Sequence, residues 1–217
     1  MAANESVTKG FVSKRLLYRA VEDSDEDKAF FQKEFENDPT TQALMSPALQ
    51  RPASKKNIES FIKDIEGCLL GVIICLRPER SEESSSPNND AQTSDQASKE
   101  AKHVPIGLLA ISNWGSGFNR HRRASLGLSL KEESRGKGYG PEAINWALDW
   151  AFQCAGLHKV SLGCFGFNHH ALGLYPRLGF VEEGRERESV FYRRAWYDVV
   201  LFSMLEHEWE NLRSKGN

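Results

Sequence analysis

Residues 135 to 143 read RGKGYGPEA: glycines at 136, 138 and 140, cations at 135 and 137, then Pro141. The chain beyond this loop is helical in pattern. Ile144, Ala147, Leu148, Ala151, Phe152 and Ala155 fall on one helical face, and Gly156 is placed to stop the helix. Pro141 suits a first helical turn, where a missing N–H costs no hydrogen bond. On the N-terminal side of the loop lies a strand, RRASLGLSL at 122–130. A strand, a glycine-rich turn and a helix N-terminus make an anion site, because glycines let backbone amides approach and the helix dipole favours negative charge. Phosphate is the natural guest. The bland alternative is a tight glycine turn flanked by a solvated Arg and Lys.

Outward from this loop, the pattern alternates strands with helices. Leu16 to Val21 reads as a short strand, and Ser24 with Asp27 three residues on resembles a capping box for a helix carrying Phe30, Phe31 and Phe35. A second helix starts near Ser54, with Ile58, Phe61, Ile62 and Ile65 on one face and Gly67 as its stop. CLLGVIICL (68–76) and VPIGLLAI (104–111) are buried-strand runs. Between them, residues 80–102 hold no aromatic and no branched aliphatic side chain, so they bury too little to offset ordering and are expected to form a disordered insertion in a hairpin.

Composition bounds the rest. With 217 residues and 40% hydrophobic content, one sizeable core is expected. A net charge of −2 argues against a protein built to coat nucleic acid. Cys68, Cys75, Cys154 and Cys164 have no CxxC or metal-ligand spacing, and read as buried thiols of a reducing compartment. The N-terminus lacks a charged start followed by an apolar run, and no stretch approaches the roughly 18 apolar residues of a membrane helix. Secretion and membrane spanning are not expected; the cytoplasm, or the nucleus, is.

Which phosphate compound the loop takes is a matter of spacing. The nucleotide P-loop needs GxxxxGK and then Ser or Thr, and the dinucleotide fingerprint needs GxGxxG near the first strand; neither fits. Arg135-x-x-Gly138-x-Gly140 resembles the acetyl-CoA pyrophosphate loop of the GNAT superfamily of N-acetyltransferases. A second segment strengthens the likeness: LHKVSLGCF (157–165) is a strand leading into Asn168-x-x-Ala171-x-x-x-Tyr175-x-x-x-Gly179-Phe180, which looks like the family's second signature. The similarity runs from about Leu16 to about Trp209, and its closing stretch, from Glu182 to Leu205, is most similar to the branch of ribosomal-protein N-terminal and spermidine acetyltransferases.

The resemblance implies an α/β fold with a mixed, mostly antiparallel sheet of about seven strands and helices on both faces. It implies a single domain over 11–210 and acetyl transfer from acetyl-CoA to a primary amine by direct attack. By the same resemblance the fourth strand splays from the fifth, and Leu128, Ser129 and Leu130 pair with the pantetheine arm. Arg135, Gly136, Lys137, Gly138, Tyr139 and Gly140 receive the pyrophosphate through backbone N–H groups, Lys137 adding a cation. Asn168, Ala171 and Tyr175 meet the pantetheine region, with Asn168 also capping the next helix. Tyr175 is the candidate general acid for the CoA thiolate.

Two departures from the family pattern matter. Ser125 stands where the branch often has an acidic residue, so no general base is assigned. Pro176 removes a bond to the Leu172 carbonyl and should kink the helix beneath Tyr175. These keep a second reading alive, a catalytically silent acyl-CoA-binding module acting as sensor or scaffold; a nucleotide-binding regulatory domain is a third. Arg120, His121, Arg122 and Arg123 read as a solvated loop, with contact to the CoA 3′-phosphate or an acidic partner as the minority view. His169 and His170 lack acidic or cysteine partners for a metal. Trp146 and Trp150 point away from the helix face assigned to the core and are expected to meet another element or a partner. Glu34, Glu36 and Asp38 could meet a cationic acceptor, although a charged helix surface is the simpler account. The acceptor, whether a protein N-terminus, a polyamine or another small amine, is left open, as is a homodimer.

Overall fold

The computed structural model describes residues 10–77, 103–113 and 118–215. Strand β1 is Leu16–Ala20, followed by α1 (Asp25–Phe31), which a π-helical turn extends over Gln32–Glu36. Ser24 caps α1 as expected, its hydroxyl accepting the Asp27 N–H at 3.2 Å. The reciprocal half of the box does not form. Asp27 is 1% exposed and turns its carboxylate to the Arg19 guanidinium and the Glu22 N–H, because a cation across the turn is the stronger partner.

Helix α2 (Pro39–Met45) follows, then α3 (Lys55–Glu66), capped by a full box between Ser54 and Asn57. Next come β2 (Leu70–Leu76), β3 (Val104–Asn113) and β4 (Arg123–Leu130). The glycine loop leads into α4 (Tyr139–Asp149), which is prolonged by a π-helical turn over Trp150–Cys154. The chain closes with β5 (Lys159–Phe165), α5 (His169–Arg177), β6 (Val181–Tyr192), β7 (Ala195–Leu205) and α6 (Glu206–Lys215).

All seven strands join one sheet in the order β1-β2-β3-β4-β5-β7-β6, antiparallel throughout except for β4 beside β5. The mixed sheet and the helices on both faces are thus as expected. On one face, Phe31, Phe35, Ile58, Ile62 and Ile65 of α1 and α3 bury Ile73, Cys75 and Leu108; the other carries the larger core built on α4. The segment 80–102 lies outside the described residues, and the strands on either side of it pair as a hairpin.

Trp146 meets another element, as expected, whereas the burial expected of all four cysteines fails for two of them. Trp146 is 2% exposed and stacks on Tyr18 with ring centroids 3.7 Å apart, while Trp150 is half-buried against the same core. A single apolar stripe is too narrow a description, because α4 meets the sheet, β1 and α6 at once: Trp146 rests on β1, and Asp149 binds Trp209 and Arg213 of α6. Of the cysteines, Cys75 and Cys164 are buried, Cys68 is half-buried and Cys154 is exposed; all four are free thiols.

Candidate active site

Strands β4 and β5 pair only where Arg123, Ala124 and Ser125 meet Lys159, Val160 and Ser161; beyond that they diverge. This is the splay the resemblance implies. The opening is a cleft of about 210 Å³, floored by Leu126–Ser129 and Gly163–Phe165, closed on one side by Asn168 and Tyr175, and overhung by Leu44, Met45 and Phe61 of α2 and α3.

Backbone direction in the cleft follows from register. The Lys131 N–H donates to the Ile106 carbonyl at 2.9 Å, so odd-numbered peptide groups at this end of β4 face β3. Antiparallel alternation then turns the N–H and C=O of Leu128 toward the side β5 has left. The Leu130 carbonyl points the same way and accepts from Arg135 Nε at 2.9 Å. A strand with unpaired groups at this depth is a docking edge for an extended chain. Side chains alternate too: Gly127 turns toward α2 and α3, and a Cβ there would meet nothing within 4 Å. Gly127→Leu should therefore fold, with stability within about 1 kcal/mol of native, but fill the cleft and lower turnover at least about tenfold by misplacing the reactants. Full activity with an unchanged melting temperature would place the reaction elsewhere.

The glycine loop lies at the C-terminal end of β4. Gly136 and Gly138 take left-handed backbone angles, φ 73° and 79°, which any other residue would adopt only with strain. Gly138 is the N-cap of α4 and brings no side chain to the first-turn amides. Lys137 is exposed; Tyr139 is half-buried at the start of the helix. The Arg135 guanidinium turns inward, to the Leu130 carbonyl and to Thr41 Oγ1 at 2.6 Å, so it pins β4 to α2, and its backbone N–H is taken by the Glu132 carbonyl at 3.1 Å.

Asn168 caps α5, its Oδ1 accepting the Ala171 N–H at 3.3 Å, and lines the cleft. Ala171 packs against the core. Tyr175 lines the cleft with its ring against Phe180 and Phe202, centroids 5.7 and 5.6 Å away. Burial, and secondarily the nearby Cys164, pushes its phenol well above its ordinary value. The Cys164 thiol, also on the cleft, is pushed up to about 11 by burial. Helix α5 runs on through Pro176 to Arg177, and the Leu178 N–H closes it onto the Leu174 and Tyr175 carbonyls. A proline one residue from the end lies in the last turn, where little helix remains to be broken.

The arginine run sits at the opposite end of β4 from the glycine loop, about 26 Å away along an eight-residue strand. Arg122 there bonds the Gly156 carbonyl and Glu206, so the structure favours a scaffolding role over contact with CoA phosphate. His169 and His170 are exposed on the first turn of α5, and no group of three or more His, Cys, Asp or Glu able to hold a metal lies among the described residues. The three acidic residues separate cleanly. Glu34 pairs with Lys33, and Asp38 caps α2 through the Thr40 and Thr41 N–H groups. Of the three, Glu36 alone has neither an ion pair nor a side-chain hydrogen bond among the described residues; its half-buried carboxyl is raised by desolvation, and it lines a second pocket of about 290 Å³ that shares Met45 and Phe61 with the cleft. The helix α2 that joins the two pockets is missing from the sequence-based expectations, although Asp38-Pro39 is a cap followed by proline at the first helical position.

A sheet split between its two central strands, with a glycine loop at the mouth of the split, defines a class, and comparison with known proteins agrees. The chain belongs to the acetyltransferase (GNAT) family, which matches residues 19–180. Among curated proteins it is 36% identical over 91 residues to a spermidine N(1)-acetyltransferase of Vibrio cholerae, covering 42% of this chain and 53% of that one. It is 30% identical over 90 residues to the putative ribosomal N-acetyltransferase YdaF of Bacillus subtilis, covering 42% and 49%. The chain thus spans about half the length of these curated relatives. Among solved structures, the V. cholerae spermidine N-acetyltransferase in complex with CoA and spermine superposes with a TM-score of 0.68 at 24% identity, over 92% of this chain and all of that one. A GNAT-family acetyltransferase from Bacillus anthracis gives 0.66 at 16%, over 91% and 98%. At these identities the likeness is one of fold.

Proposed function

We propose that this protein is an acetyl-CoA-dependent N-acetyltransferase that moves the acetyl group to a primary amine by direct attack. The observation that carries the reading is the opening of β4 from β5, which leaves the Leu128 peptide unpaired opposite Asn168 and Tyr175 and leads to the glycine loop. In this reading residues 11–210 are one domain with 80–102 inserted in its β2–β3 hairpin, the last helix running on to Lys215. The free thiols suit a reducing cytoplasm. No helix among the described residues is long and apolar enough to cross a membrane.

Each residue has a physical task. The backbone of Leu128–Leu130 pairs with the pantetheine arm, and the Leu128 N–H supports the oxyanion that forms as nitrogen attacks the thioester carbon. The amides of Gly136–Gly140 take the diphosphate, with Lys137 nearby in solvent. Asn168 and Ala171 border the arm. When the C–S bond breaks, Tyr175 gives its proton to the leaving thiolate, and the proton lost by the new amide nitrogen passes to solvent. Ser125 offers no carboxylate, and no protein group is assigned as base. Nothing at Pro176 favours the binding-only alternative, since α5 continues past it and Tyr175 reaches the cleft.

The acceptor enters between α2 and α3. The pocket there sets Met45, Leu49 and Phe61 beside Gln42, Asn57 and Arg51, and its half-buried Glu36 carboxylate, which has no ion pair among the described residues, suits an amine that carries a positive charge beyond its reacting nitrogen. Glu36→Gln should raise KM for spermidine on the order of 3- to 10-fold with kcat near native; an unchanged KM would remove Glu36 from the acceptor path. The function itself is tested by thiol release from acetyl-CoA against spermidine, aminosugars and peptides with free N-termini. Release with one amine class, with the acetylated amine found by mass spectrometry, supports the reading. Binding of acetyl-CoA without release by any amine would leave only a binding module.

A further inference from the structure

Arg15 precedes β1 and lies outside the stretch that matches the family, yet its side chain crosses to the glycine loop. Its backbone N–H and its Nε donate to the two carboxylate oxygens of Glu142, at 2.7 and 2.8 Å. Its Nη1 donates to the Lys137 carbonyl at 3.0 Å, and its guanidinium carbon sits 4.6 Å from the centroid of the Tyr139 ring. Ser13 Oγ adds a third bond to Glu142 at 2.7 Å. The planar group is therefore held on three sides before any ligand arrives. Its Nη2 has no partner among the described residues and lies beside Gly138, 3.3 Å from where a Cβ would stand. The side chain is 43% exposed.

Arg135, the arginine that the loop's own motif offers, spends its guanidinium on the Leu130 carbonyl and Thr41. We propose that Arg15, not Arg135, supplies the guanidinium that meets the diphosphate at Gly136–Gly140. The proposal rests on the acetyl-CoA reading of the cleft. A preset guanidinium loses little side-chain entropy on meeting a phosphate, and its charge-assisted bond adds to the amides of the loop. Glycine at 138 then has a second use: it leaves room for Nη2 at the anion's edge.

The test measures calorimetric dissociation constants of acetyl-CoA and its dephospho form, which lacks the 3′-phosphate, for the native chain, Arg15→Ala and Arg15→Lys. Turnover of S-acetylpantetheine, which has no diphosphate, and the melting temperature are followed alongside. Arg15→Ala should weaken both CoA compounds by the same factor, about ten- to a hundredfold. Arg15→Lys should recover part of the loss, and Arg15→Ala should stay within twofold of native on S-acetylpantetheine. Binding of acetyl-CoA by Arg15→Ala within twofold of native overturns the proposal. So does a loss confined to the compound with the 3′-phosphate, or an equal loss on S-acetylpantetheine. If the native chain binds neither CoA compound, the acetyl-CoA reading itself fails and this inference falls with it.

Discussion

Tyr175→Phe lowers kcat for acetyl transfer by about 10²- to 10⁴-fold, the range that a positioned general acid contributes, and leaves the dissociation constant of acetyl-CoA near native. The ring makes the packing contacts, with Phe180 and Phe202, so removing the hydroxyl takes away a proton donor without opening a cavity. The pH profile gives the sign. Burial holds the phenol above its ordinary value of about 10, so Tyr175 stays in its active, protonated form throughout the neutral and moderately alkaline range. Rate should therefore rise with pH as the acceptor amine loses its proton, with no descending limb below about pH 10. A limb falling near pH 8 to 9 that disappears in Tyr175→Phe would show a depressed phenol and contradict this account. A Phe variant as fast as native would move the acid elsewhere on the cleft; Cys164→Ala, expected to retain activity, tests the one thiol that lines it.

Asp149→Ala destabilises the fold by about 3–5 kcal/mol, the cost of removing one partner from a buried ion pair. Asp149 is 4% exposed and accepts from Trp209 Nε1 at 2.9 Å and from Arg213 Nε at 2.7 Å. Arg213 also reaches the carbonyl and side-chain oxygens of Asn145, so one carboxylate anchors α6 to α4. Its removal leaves the indole N–H without its acceptor and the largely covered Arg213 guanidinium without its counter-charge, hydrogen-bonded to Asn145 alone. The melting temperature should drop by about 6 to 20 °C for a chain of this size, read by calorimetry. Arg213→Ala should cost less, because Arg213 is the more exposed partner and Trp209 keeps its bond. A drop of under about 1 kcal/mol for Asp149→Ala would mean that α6 is held by its apolar contacts alone.

Local signals carry most of the fold. The glycines of 136–140 and the apolar periodicity of α4 are plain in the sequence because each reflects a short-range need: left-handed turns, amides free at a helix start, one face on a sheet. The family resemblance implies Leu128, Ser129, Asn168 and Tyr175, and the fold brings them to one cleft. What stays hidden depends on long-range contact. Arg135 reads as a loop cation until α2 comes beside it and Thr41 takes its guanidinium. Arg15 carries no local signal at all; its partner Glu142 is 127 residues away. Trp146 falls off the expected apolar face because a helical wheel does not anticipate β1 laying Tyr18 against it. The acidic trio of the first helices separates on contacts that composition does not show: Lys33 pairs with Glu34, the first-turn amides of α2 take Asp38, and Glu36 is left with no side-chain partner among the described residues.

The most direct test of the central claim is a calorimetric titration of the native chain with acetyl-CoA and, separately, with ATP. The split sheet and its glycine loop predict one equivalent of acetyl-CoA bound and no measurable heat with ATP. ATP binding at least as tight as acetyl-CoA, or no binding of acetyl-CoA, would contradict the assignment of the cleft and everything built on it.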